Sequence, residues 1–134
     1  MSNKEKLINQ TKEFLVNQYY YLEDQIETNA ELTLLTNEKF IVDMLIKDGS
    51  NNPVIAILVT ENESREEQIK YILTWSNIQY GIIRQFNNDG SPKFYGWKKK
   101  KNLLFDDCTF EEITDYPHNS KGDFLLQLLE LFLS

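Results

Sequence analysis

The chain has 134 residues, of which 41% are hydrophobic and 26% charged, and a formal net charge of −7. That is enough apolar material for one domain with a real core, and it excludes a disordered segment. No apolar run reaches the roughly 18 residues needed to cross a bilayer, the one cysteine, Cys108, excludes an intramolecular disulfide and a cysteine-rich zinc site, and the acidic balance argues against coating nucleic acid by bulk electrostatics.

Met1 to Lys6 leads into a mixed helix rather than a signal-peptide core, so a cytoplasmic protein is expected. Residues 4–22 read as that helix, with Leu7, Thr11, Phe14, Leu15, Gln18 and Leu22 on one stripe. Tyr19, Tyr20 and Tyr21 at its end are either a stacking platform for bases or core material at the helix end. Leu32 to Leu35 reads as a short strand and Thr36 to Lys39 as a turn. Phe40 to Ile46 follows as a strand that carries one carboxylate, Asp43, on the side of Ile41 and Leu45. A buried carboxylate needs a partner or a cation. Asp48 to Pro53 is dense in turn formers. Val54 to Thr60 is apolar nearly throughout, as in a strand covered on both faces.

Ser64 with Glu67 is a capping-box pattern that predicts a helix over 64–76. Ile78 to Phe86 is the next strand. Strand, helix, strand predicts a parallel pair joined by a crossover. Asn87 to Pro92 is a turn, and Lys93 to Lys98 returns antiparallel, making the sheet mixed. Lys98, Lys99, Lys100 and Lys101 follow Tyr95 and Trp97. Basic residues beside aromatics suit a nucleic-acid backbone with stacked bases; the competing reading is a charged strand end that guards a sheet edge. Thr109 with Glu112 predicts another short helix, ending near Asp115 before Pro117. Residues 124–133 hold eight apolar residues in ten and predict an apolar helix. It either packs on the domain or forms a homo-oligomer or partner surface. His118 and Cys108 lack the company a zinc site or a reactive thiolate needs.

The motifs Phe40 to Ile46, Pro53 to Thr60, Gln68 with Tyr71, and Tyr80 to Ile83, in this order, resemble the restriction-endonuclease-like, or PD-(D/E)xK, nuclease fold. The arrangement is most similar to the N-terminal nuclease domain of type I restriction enzyme R subunits. The resemblance implies an α/β core over about 10–97, with 98–134 as an extension. It also implies a place in a restriction, DNA-processing or mobile-element system. In that family an Asp on one hairpin strand, and an acid and a lysine two apart on the next, hold Mg²⁺ and activate water. The resemblance makes Asp43 the metal-binding Asp. It puts Leu58 at the acidic position and Thr60 at the lysine position. Neither can do that chemistry, so the expectation is a non-catalytic module that needs no cofactor. Its ligand is nucleic acid, through Tyr95, Trp97 and Lys98–Lys101, or a protein. The alternative is a Mg²⁺-dependent DNA endonuclease whose site draws on relocated residues among Glu61, Glu63, Glu67 and Lys70; Asp43, Gln68 and Lys70 are the vestigial catalytic candidates.

Overall fold

A computed structural model describes residues 2–61, 63–86, 91–101 and 108–119, together with residue 132. Helix α1, Asn3–Tyr19, starts where the Ser2 hydroxyl accepts the Glu5 N–H at 3.1 Å. Leu7, Thr11, Leu15 and Tyr19, four residues apart, form its buried stripe. It stops three residues before the expected end because Tyr20 turns left-handed, at φ 65°. The Tyr21 N–H then closes back on the Leu15 carbonyl at 3.2 Å.

Strands β1 (Ile26–Thr33), β2 (Lys39–Lys47) and β3 (Pro53–Glu61) run as a meander. The strand expected at Leu32 is therefore the end of a longer one. Asn37 and Asn51 supply the left-handed residues of the two turns. In the second, Asp48 Oδ1 accepts the N–H groups of Ser50 and Asn52. Helix α2, Glu66–Thr74, connects β3 to β4, Tyr80–Phe86, which lies parallel to β3. Its start departs from the predicted capping box: Arg65 stands at the cap and no side chain bonds there. β5 (Lys93–Lys101) and β6 (Cys108–Ile113) continue the sheet. The helix predicted from Thr109 and Glu112 is thus a strand. Pairing with β5 outweighs the local capping signal, and Glu111 crosses to Lys98 in register.

The six described strands lie in the order in which they occur along the chain, and among them only β3–β4 is parallel. The molecule is α/β, with α1 on one face of the mixed sheet and α2 on the other. On the α1 face, Leu7 and Leu15 pack with Met44, Ile46, Ile55, Ile57, Val59 and Ile82. On the α2 face, Ile69, Ile72 and Leu73 pack with Leu45, Leu58, Ile83 and Trp97. Full burial of each such side chain contributes about 1.5–3 kcal/mol. β3 feeds both cores from alternate positions, which accounts for its nearly continuous apolar run. No described helix is long and apolar enough to cross a membrane. The apolar stretch 124–133 lies outside the described residues except for residue 132.

Candidate functional site

Asp43 sits where β2 and β3 part. Their ladder runs from Lys47–Pro53, past a register shift between Lys47 and Ile46, to Met44–Ile57 and ends there, while β3 stays paired with β4 as far as Glu61. The Val59 N–H on the open side is taken by Asp43 Oδ2 at 2.7 Å. Asp43 Oδ1 receives Lys4 Nζ of α1 at 2.9 Å. The residue is 7% exposed, so both oxygens of a buried carboxylate have partners, one of them the Lys4 ammonium.

The strict alternation expected along β2 does not hold here. Ile41 is 71% exposed. Val42 and Leu45, three apart, share the α2-side core, whereas Met44 lies in the α1-side core. β1 changes face at the same level, with Ile26 in one core and Ala30 in the other, and Asn29 between them at φ 50°. Asp43 thus lies at a kink shared by two strands. Its carboxylate reaches sideways to β3 and to α1, away from the side of Leu45.

The relocated residues are not gathered around it. Leu58 is part of the α2-side core, and Thr60 is buried, its hydroxyl donating to the Glu63 carbonyl at 2.7 Å. Gln68 Oε1 accepts from Arg65 Nε at 2.7 Å. Lys70 pairs with Glu66 at 3.3 Å and sits 5.5 Å from the Trp97 ring and 5.6 Å from that of Phe110, over β5 and β6. Glu61, Glu63 and Glu67 are exposed. Among the described residues no three His, Cys, Asp or Glu side chains come together in a metal-binding group.

The lysine run is divided by the pleat of β5. Trp97 is buried in the α2-side core. Lys99, on the same face, is 3% exposed, and its ammonium donates to the Leu73 and Ser76 carbonyls at 2.7 Å each. It closes the C-terminal end of α2, where carbonyls lack partners and the helix dipole favours a cation. Lys98 and Lys100 point the other way. Lys98 lies 6.0 Å from the Tyr80 ring, and Lys100 pairs with Glu111 at 3.3 Å. Lys101 ends β5, opposite Cys108. Tyr95 is exposed, on the face of Trp97. The expected six-residue surface is therefore two faces, with Trp97 and Lys99 inside the protein.

The tyrosine triplet is divided in the same way. Tyr19 and Tyr21 are buried and Tyr20 is exposed. The Tyr19 hydroxyl donates to Asp115, and that of Tyr21 to the Pro117 carbonyl at 2.7 Å. Burial first, then the bond to Asp115, pushes the Tyr19 phenol up to about 12. His118 lies against Tyr19, with 4.6 Å between the rings.

One surface was not singled out from the sequence. Leu35, 68% exposed, follows β1, and its N–H donates to the Trp75 carbonyl at 2.8 Å. Trp75 is 40% exposed at the end of α2, one turn beyond the exposed Tyr71. The Tyr71 ring lies 6.1 Å from that of Phe40, and its hydroxyl donates to Glu38. That bond holds the Glu38 carboxyl below the usual carboxylate range and pushes the Tyr71 phenol up. The sequence signal is the spacing of Tyr71 and Trp75, four apart, opposite the buried stripe of Ile69, Ile72 and Leu73. Comparison with protein families and with curated proteins finds no match to this chain.

Proposed function

We propose that this chain is a non-catalytic binding module on a restriction-endonuclease-like core, and that its partner is a protein rather than a nucleic acid. The observation that carries the first half is the state of Asp43. Its oxygens are committed to Lys4 and the Val59 N–H, and the neighbouring positions Leu58 and Thr60 face the other side of the sheet. The acid serves the fold by filling a gap in the ladder.

The second half rests on the comparison of two surfaces. Of the described side chains in the lysine run, Lys98 and Lys100 are exposed, on one face, and Lys100 already has a carboxylate. Leu35, Tyr71 and Trp75 instead form a patch linked through backbone hydrogen bonds of Trp75 to the other two, with the Tyr71 ring beside Phe40. Tyr and Trp are the side chains that most often anchor protein interfaces. Glu38 and Glu67 flank this patch, so the matching surface is apolar at its centre and basic at its rim.

Two measurements test this. Mg²⁺ or Mn²⁺ is expected to leave plasmid and oligonucleotide DNA intact and the melting temperature unchanged. Metal-dependent cleavage that disappears in Asp43→Asn overturns the non-catalytic reading. Separately, a photo-reactive phenylalanine at position 75 is expected to give protein adducts in the native host that the same group at position 13, on the exposed side of α1, does not. Adducts that are mainly nucleic acid, or identical at both positions, overturn the protein-partner reading.

A further inference from the structure

A second feature lies on the opposite face of the sheet and is independent of the reading above. α1 does not seal fully against β4. Between them is a cavity of about 280 Å³, lined by Leu7, Gln10, Thr11 and Phe14 from the helix, Arg84 from β4, and Tyr116. Arg84 is half-buried, and its Nε is shielded from solvent with no hydrogen-bond partner. The guanidinium carbon sits 5.8 Å from the Phe94 ring, which meets Tyr116 edge-on at 4.9 Å. Lys4, Lys39, Lys47, Lys70 and Lys100 each have a carboxylate partner. In a chain of net charge −7, Arg84 has none among the described residues.

A buried donor with no acceptor is costly, and for a charged group more so. Asp115, next in sequence to Tyr116, is engaged elsewhere: its Oδ1 accepts from the Tyr19 hydroxyl and, at 2.9 Å, from the Tyr116 N–H. Nε is shut off from solvent, so a ligand meets the two Nη groups, whose planar fork matches two oxygens of a carboxylate or phosphate. Its charge is felt within the cavity. Burial raises the Tyr116 phenol, while Arg84 and a hydrogen bond with Thr11 oppose that rise. The same cavity is lined by the polar side chain of Gln10 and by Leu7 and Phe14 as apolar walls. At this volume the cavity lies near the lower end of small-molecule sites, about 300–1,000 Å³.

We propose that the cavity between α1 and β4 binds a small oxyanion-bearing molecule, its carboxylate or phosphate held end-on by the Arg84 guanidinium and its body against Phe14.

The test titrates the whole chain with inorganic phosphate and with benzoate at constant ionic strength, followed through the Arg84 Nε–H resonance and the melting temperature. A saturable shift and a rise in melting temperature are expected with at least one probe. A response to phosphate alone identifies a phosphate ligand, and a response to benzoate alone an aromatic carboxylate. Arg84→Lys, which keeps the charge without the fork, is expected to bind at least tenfold more weakly. Phe14→Ala, at the exposed lip, weakens benzoate and spares phosphate. The proposal is overturned if neither probe gives a saturable shift, if chloride at equal ionic strength gives the same one, or if Arg84→Lys binds as tightly as the parent.

Discussion

Asp43 and Lys99 are the buried charged side chains among the described residues, and each is held by backbone groups that would otherwise lack partners. For Lys99 the consequence is measurable. Lys99→Met keeps most of the aliphatic stem but leaves the Leu73 and Ser76 carbonyls unmet, and is expected to cost about 1–3 kcal/mol in urea unfolding. Lys98→Ala, one residue away, should change stability by less than about 0.5 kcal/mol. Equal effects would contradict the division of the run by the pleat. That division could not be read from four identical residues, because a run without contrast carries no phase. Asp43 was legible for the opposite reason: one carboxylate among apolar neighbours marks a buried acid that must be satisfied. Its true direction was hidden, because Asn29, on the adjacent strand, breaks the alternation by which strand faces are assigned.

Tyr19 adds a dependence on pH. Its folded pKa is raised to about 12 from 10, so the folded state holds the proton more tightly than the unfolded chain does. The associated stability is fully present below pH 10 and is lost as pH rises towards 12, with an upper bound of about 3 kcal/mol. Melting temperature followed between pH 8 and 12 should therefore fall less steeply in Tyr19→Phe than in the parent.

At the scale of elements, periodicity was more reliable than terminal signals. The β3–α2–β4 unit was visible as apolar run, amphipathic stretch and apolar run, and the parallel pairing of β3 with β4 follows that pattern. Both proposed capping boxes failed. α2 begins at Glu66 without a side-chain cap, and the second box lies within β6. Residues such as Thr109 and Glu112 are permitted in a strand, and a neighbour with unpaired backbone decides between the two states. The closeness of α2 to β4 depends on one glycine. A Cβ at Gly81 would lie 2.6 Å from Ile69 Cγ1 and 2.9 Å from Leu73 Cδ1. Gly81→Ala is expected to force the helix outward and to destabilise the protein by about 1–3 kcal/mol in chemical denaturation. An unchanged midpoint would mean that the two elements adjust freely.

For the whole molecule, a central sheet covered on both faces was foreseen, and the order of its strands is the simplest the chain allows. The patch at Leu35, Tyr71 and Trp75 and the cavity at Arg84 were not foreseen. Each is assembled from segments distant in sequence; the spacing of Tyr71 and Trp75 is a local sign of part of the first, and no local pattern announces the second. The left-handed Asn29 has one more consequence, for the company the protein keeps with itself. β1 ends the sheet, and along its outer side no described strand continues the ladder. A straight strand there would offer a row of free amides and carbonyls to a second molecule. The bend at Asn29, flanked by Glu27 and Glu31, interrupts that row. Asn29→Val, which disfavours the left-handed conformation and favours extension, is expected to turn a well-behaved solution into one that forms concentration-dependent aggregates by light scattering, while the parent stays clear.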